Sequence, residues 1–377
     1  MKIEWETKRL TEVATVTTGK WDANHSVENG KYRFYTCAYE HSYSNTKRYS
    51  GECLILPGNG ANVGEVFYYN GDFDAYQRTY VISDIKIFPK YLYYHLNLLW
   101  KTRNTSKQYG SATNFIKIGN FHDYVVTFPP LSEQKQIVAK IDDIFKDVEK
   151  DKEIAEKNLQ NTNDLFDSYL DNIFSNPGEG WVQSELGDMV EITSSKRIYK
   201  SEYVKTGVPF YRTKEIVQLE NSEKISTELF ISNERFLEIN DGFGVPKQGD
   251  IMLTAIGTIG NVYVVQPTDK FYFKDGNILW LKSSDKISPN LLKYILKSYV
   301  ETLKTLNIGT AYNALTIEKL KKHKVTVPPS SLQENIISKL DSLKENSKRL
   351  ERIYKDKLSE IDLLKKSVLN KAFSGEL

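Results

Sequence analysis

The sequence predicts an α+β protein built twice: two similar mixed α+β units, each followed by a long helix, related by a pseudo-twofold internal repeat. Three observations predict it. Residues 110–176 align without a gap to residues 309–375, an offset of 199 set by Gly110 against Gly309. A second block, offset by 176, sets Trp5, Leu10, Thr17, Lys20, Phe34 and Tyr35 against Trp181, Leu186, Thr193, Lys196, Phe210 and Tyr211. Each copy then ends in a stretch free of Pro and Gly, with apolar residues at near-heptad spacing. The resulting domains are a first unit at 1–130, a helix at 131–176, a second unit at 177–329 and a helix at 330–377.

The first unit reads as strand-rich. Cys53-Leu54-Ile55-Leu56 and Tyr80-Val81-Ile82 are short β-type runs, and Gly58–Gly64 is a glycine-rich turn. Pro89–Arg103 reads as a helix, with Leu92, Tyr93, Leu96 and Leu99 near one face. The second unit repeats the plan: Gly249-Asp250-Ile251-Met252-Leu253 matches Gly51-Glu52-Cys53-Leu54-Ile55. Phe271–Leu281 is a candidate strand pair, and Ser288–Leu306 is a helix. The two offsets differ by 23, so the second unit carries extra residues, placed around Thr213–Pro246.

Pro129-Pro130 and Pro328-Pro329 cannot continue a helix backwards, so each marks a helix start. Ser132 is a candidate N-cap, and Ser331 a better one, because Glu334 would complete a capping box. Ile137, Ile141, Ile144 and Val148 line one helix; Ile336, Leu340, Leu343, Ile361, Leu364 and Val368 line the other. Both copies keep the same length, which a loop would not need to do. Such rods pair through their apolar stripes, and a rod of fixed length acts as a ruler.

Bulk composition bounds the class. Hydrophobic content is 40% and net charge only +2, so a nonspecific polyanion binder is disfavoured, although a basic face remains open with 51 Lys and Arg. No apolar run approaches a membrane span, and Met1–Arg9 is charged, so a cytoplasmic protein is expected. Cys37 and Cys53 read as reduced thiols. There is no Asn- or Asp-Pro-Pro-Tyr tetrapeptide of an adenine methyltransferase, and Gly58–Gly64 lacks the Lys-Ser/Thr end of a phosphate loop. The five His are scattered without metal-ligand spacing, and no symmetric acid pair stands out as general acid and base.

Pro129-Pro130-Leu131-Ser132-Glu133-Gln134-Lys135-Gln136-Ile137 resembles the Pro-Pro-Leu-x-Glu-Gln-x-x-Ile segment of type I restriction-modification specificity subunits. The second copy, Pro328–Ile336, departs from it at Ser330 and Leu332. Gly110–Asn114, Gly309–Asn313 and the closing Ser367–Leu377 resemble further elements of that family, and together these motifs cover essentially the whole chain. The resemblance implies two target-recognition domains, each reading one half of a gapped DNA site. It implies that two antiparallel coiled-coil helices separate them and dock two methyltransferase subunits, which restriction subunits join. It also implies a non-catalytic chain, with S-adenosylmethionine, ATP and magnesium belonging to the partners. Two α+β modules on paired helices also suit a scaffold that binds only proteins, and that alternative predicts no sequence-specific DNA binding.

Phosphate contacts need Lys, Arg or small polar donors, and base contacts favour Arg, Lys, Asn and Gln on loops or helix ends. By those criteria the DNA-binding candidates in the first unit are Lys20, Asn62, Gln77, Arg78, Lys107 and Ser111. In the second they are Lys196, Arg197, Tyr211, Arg212, Lys214, Lys274 and Tyr312. Asn114 and Asn313, after Gly-Ser/Thr turns, read as loop-holding residues. Arg212→Ala is expected to weaken binding to the specific site far more than to random DNA in a titration of both; equal loss would make Arg212 a phosphate contact.

Overall fold

The computed structural model describes residues 5–104, 114–305 and 315–377. Two compact units emerge. One comprises residues 1–157 and 354–377, the other residues 158–353. The division therefore cuts each long helix near its middle, instead of assigning whole helices to separate domains as the sequence boundaries did. The physical reason is burial: each half-helix supplies apolar residues to the unit it packs on.

In the first unit, strand Glu52–Pro57 lies between Phe67–Asn70 and Thr79–Ser83, with Thr15–Thr18 outermost, all antiparallel. A three-stranded sheet joins Ser42–Ser44, Tyr32–Tyr35 and Phe73–Ala75, the last two parallel with Tyr35 opposite Ala75. Glu6–Arg9 pairs with Val125–Phe128 just before the long helix. The main core gathers Leu54, Ile82, Tyr91, Leu96, Trp100 and Phe121, and it takes in Ile137 and Ile141 from one long helix and Val368, Leu369 and Ala372 from the other. Lys365 Nζ meets Glu149 at 2.6 Å, so the helices run antiparallel here: 149 faces 365, and the earlier 137–141 turn joins the later 368–372 turn in one core.

The second unit repeats this frame. Ile251–Thr254 lies between Val262–Val264 and Ile278–Leu281, with Ile192–Thr193 outermost. Val208–Tyr211 runs parallel to Tyr272–Phe273, with Tyr211 opposite Phe273. Its core takes Leu170 and Phe174 from the end of the first long helix and Leu340 from the start of the second. The extra residues form helices Thr213–Glu220 and Asn233–Gly242 and strand Phe230–Ile231.

Several expectations are refined. Tyr272–Phe273 and Ile278–Leu281 are strands, but each joins a different sheet instead of pairing with the other. The helix expected at 288–306 is two, Pro289–Ser298 and Val300–Thr305, broken at Tyr299; residue 306 lies outside the described residues. Leu364 is exposed, off the apolar stripe.

The long helices, Leu131–Ser175 and Ser330–Ser374, begin directly after the prolines, so Ser132 and Ser331 lie inside the first turn and are not N-caps. A glutamine ties down each start instead. Gln134, 2% exposed, donates Nε2 to the Pro129 carbonyl at 2.7 Å and accepts from the Phe88 N–H at 2.8 Å. Its repeat partner Gln333 donates to the Pro328 carbonyl at 3.1 Å. Proline leaves its own position without a donor, and the amide side chain satisfies the carbonyl that would otherwise be stranded.

Candidate nucleic-acid interface

In both units the parallel strand pair ends at one corner, and most of the described candidates gather there. In the first unit the Tyr76 N–H donates to the Tyr35 carbonyl at 2.9 Å and the Gln77 N–H to the Trp21 carbonyl at 2.8 Å. That seats Lys20 and Trp21 beside the Gln77-Arg78 turn. Gly19 is required for this approach, since a Cβ there would stand 2.0 Å from the Ala75 carbonyl oxygen. Gly58 is similarly placed against the Arg78 carbonyl. Arg78 is exposed and, among the described residues, its guanidinium has no ion pair or hydrogen bond. With Gln77 it borders a cleft of about 350 Å³ that also includes Asn59, Tyr80 and Phe115. Asn62 serves the loop: its Nδ2 donates to the Cys37 carbonyl at 2.9 Å.

Buried Asp74 holds the corner from beneath. Its carboxylate accepts from Trp21 Nε1 at 3.0 Å, Thr46 Oγ1 at 2.7 Å and the Ala75 N–H at 2.9 Å. The Trp21 ring stacks on His25, centroids 4.1 Å apart, and Lys20 Nζ sits 5.7 Å from the Trp21 ring. Sequence reasoning missed Asp74 and Trp21. The available signal was an acid in the middle of Phe73-Asp74-Ala75, a strand buried at all three positions, where a carboxylate must find donors.

The second unit builds the same corner with different chemistry. The Lys274 N–H donates to the Tyr211 carbonyl at 2.8 Å, as Tyr76 does to Tyr35. Ser195, at the repeat position of Gly19, donates its hydroxyl to the Phe273 carbonyl at 2.8 Å. The Lys196 N–H donates to Tyr272 Oη at 2.7 Å, which leaves the Lys196 side chain exposed. Asp275 binds Arg197 at 2.8 Å and Lys274 at 2.9 Å. Burial would raise the Asp275 carboxyl, but hydrogen bonds from Lys274 and Arg197 outweigh it and hold the group below the usual carboxylate range. A partly exposed ion pair of this kind is worth about 0–1 kcal/mol, so a phosphate can compete for either cation.

Arg212 stands next in the chain to Tyr211. It opens the helix Thr213–Glu220, with its backbone N–H on Glu215 at 2.8 Å and its guanidinium on the same carboxylate at 3.1 Å. The Glu215 side chain is fully buried, and its hydrogen bond raises the Arg212 guanidinium above its ordinary value. Lys214 Nζ bonds Ser226 at 3.1 Å. Tyr211 does not present its ring to solvent: it is 9% exposed and stacks on Phe271, because alternation puts it on the face opposite Phe210 and both faces are covered. Lys107, Ser111 and Tyr312 lie outside the described residues.

The first unit also displays aromatic residues that the sequence did not single out. Arg33 donates to Tyr35 Oη at 3.3 Å and lies over the Tyr69 ring; Tyr39, 70% exposed, and Tyr43 flank His41 in the chain. The corners thus offer cations, amides and aromatic faces, the groups that hold phosphates and base edges. Among the described residues no group of three His, Cys, Asp or Glu could hold a metal ion, and no helix is long and apolar enough to cross a membrane.

The family model described as type I restriction modification DNA specificity domain matches residues 2–157 and 178–359. The chain is 37% identical to the type I restriction enzyme EcoDI specificity subunit of Escherichia coli over 152 residues, 40% of this chain and 34% of that subunit. It is 26% identical to a putative type I restriction enzyme specificity subunit of Haemophilus influenzae, across 90% of this chain and 87% of the relative. A chain from a structure concerned with assembly and conformational transition of the type I R-M system shares the fold at a TM-score of 0.79, over 100% of both chains at 19% identity. The HsdS subunit of Thermoanaerobacter tengcongensis gives 0.58 at 18% identity, over 100% of this chain and 98% of that one.

Proposed function

This chain belongs to the type I restriction modification DNA specificity family, and on that premise we propose that it is the non-catalytic subunit that chooses where a cytoplasmic restriction-modification complex acts. Each unit reads one half of a gapped duplex site. The paired long helices set the gap and dock two methyltransferase subunits, which restriction subunits join. S-adenosylmethionine, ATP and magnesium belong to those partners.

The observation that carries this reading is the repeated corner. One backbone frame ends its parallel strands with the same hydrogen bond in both units, yet it carries Lys20, Trp21, Gln77 and Arg78 in one and Lys196, Arg197, Lys274 and Asp275 in the other. A conserved frame with different donors suits two different half-sites. Co-expression with the methyltransferase subunit in a methylation-free host, followed by mapping of modified adenines, tests it. One gapped, two-part motif is expected. A purified complex that neither modifies nor selectively binds DNA would leave the protein-only scaffold reading instead.

A further inference from the structure

The unit formed by residues 158–353 holds a second feature that DNA reading does not use. A cleft of about 570 Å³ opens between the two long helices and the helices Pro289–Ser298 and Val300–Thr305. Phe166 and Leu170 line one side together with Asp167 and Asp171; Lys297, Lys344 and Lys348 line the other. Lys293 stands close enough to depress the Lys344 ammonium electrostatically.

The internal repeat supplies a control. Tyr94 donates to Asp142 at 2.5 Å in one unit, and Tyr294 to Asp341 at 2.5 Å in the other, which fixes the equivalence. In the first unit the matching positions are Tyr93, Asn97, Phe145 and Glu149, and Lys365 seals the corner by pairing with Glu149 and lying over Phe145. In the second unit these become Lys293, Lys297, Lys344 and Lys348, while Phe166 replaces the sealing lysine. A closed corner with one ion pair has become an open cleft lined by Lys297, Lys344 and Lys348, with Lys293 close behind and acids beside them.

Glu220 and Glu351 also line the cleft and offset part of the lysines' charge. Lys297 pairs with Glu220, which also accepts the Val262 N–H at 3.0 Å. Among the described residues Lys293, Lys344 and Lys348 have no ion pair. Burial, then repulsion from Lys293, Lys297 and Lys348, pushes Lys344 down to about 8 despite Glu220. Lys293 is lowered for the same reasons, burial first. Across the cleft, burial and then Asp171 raise the Asp167 carboxyl. Like charges crowded on each wall of an uncollapsed cleft favour a ligand that satisfies both walls.

We propose that this cleft binds a small phosphorylated compound, its phosphate groups on Lys297, Lys344 and Lys348 and its hydroxyl or amino groups toward Asp167 and Asp171. The volume lies within the range of small-molecule sites. A duplex is too broad to enter between helices, and a ligand with anionic groups at both ends would meet repulsion at Asp167 and Asp171.

Calorimetric titration of inorganic pyrophosphate into the full chain tests the proposal. Saturable one-site binding is expected, weakened at least tenfold by Lys344→Gln with Lys348→Gln and unchanged by Lys365→Gln at the equivalent sealed corner. Lys344→Arg, which keeps the charge, should retain binding; should the double variant misfold, exposed Lys348→Gln alone should still weaken it severalfold. No binding, or equal affinity in correctly folded variants, overturns the site. Displacement of pyrophosphate by random-sequence duplex in the parent but not in the double variant would overturn the small-ligand assignment and leave a backbone-phosphate contact.

Discussion

Inserting four residues after Lys157, matched by four after Asp356, shifts modification from the original site to one whose gap is longer by about two base pairs. The insertion points lie within a few residues of where each long helix passes from one compact unit to the other. The repeat offset of 199 makes them equivalent. Four helical residues add roughly 6 Å at ~1.5 Å each, and duplex DNA rises ~34 Å per ~10-base-pair turn, which gives the two base pairs. The first long helix has a polar middle, so the added turn buries no new apolar surface and leaves each unit's own core intact. Methylation mapping reads the outcome: loss of the original motif with gain of a longer one. Retention of the original spacing with undiminished modification would show that the helices do not set the gap.

The parts of this fold that were legible in the sequence are those where local chemistry and tertiary packing agree. The diprolines mark both long-helix starts because a missing donor and a fixed φ allow nothing else. Cys53–Leu56 and Tyr80–Ile82 become central strands because their runs are apolar and bounded by turns. The extra segment near Thr213–Pro246 follows from two mismatched offsets, and helices Thr213–Glu220 and Asn233–Gly242 occupy it. What was not legible depends on partners distant in the chain. Ser132 and Ser331 look like caps, yet Gln134 and Gln333 reach back to the preceding proline carbonyls. Tyr211 reads as a polar aromatic near a loop, but both faces of its strand are covered and it packs onto Phe271. Phe271–Leu281 looks like a hairpin, but Tyr272–Phe273 pairs instead with a strand some sixty residues earlier. Composition gave no hint of the lysine cleft, because Lys297 lies on one helix and Lys344 and Lys348 on another, and only packing brings the two together.

Asp74→Ala costs about 3 kcal/mol or more of stability and degrades recognition of one half-site while sparing the other. Asp74 is 1% exposed and accepts three hydrogen bonds, one from each of Trp21, Thr46 and Ala75. A buried donor left without its acceptor costs about 1–3 kcal/mol, and charged acceptors lie toward the upper end. The loss does not stay local. Trp21 is held to the strand end by its bond to Asp74, and Trp21 in turn accepts the Gln77 N–H and adjoins Lys20. Freed of that bond, the ring loses its fixed orientation against His25, and the Lys20–Gln77–Arg78 corner loosens with it. The second unit makes no use of this carboxylate: Asp275 and the Ser195 hydroxyl hold its corner through their own contacts. The expected signature is therefore asymmetric. Thermal unfolding moves to lower temperature, and in the mapped motif one half becomes degenerate while the other keeps its bases. Asp74→Asn separates the two effects, since the amide oxygen can still accept from Trp21 while the charge is gone; it should recover most of the half-site preference. Equal degradation of both halves would mean that the two corners do not read DNA independently.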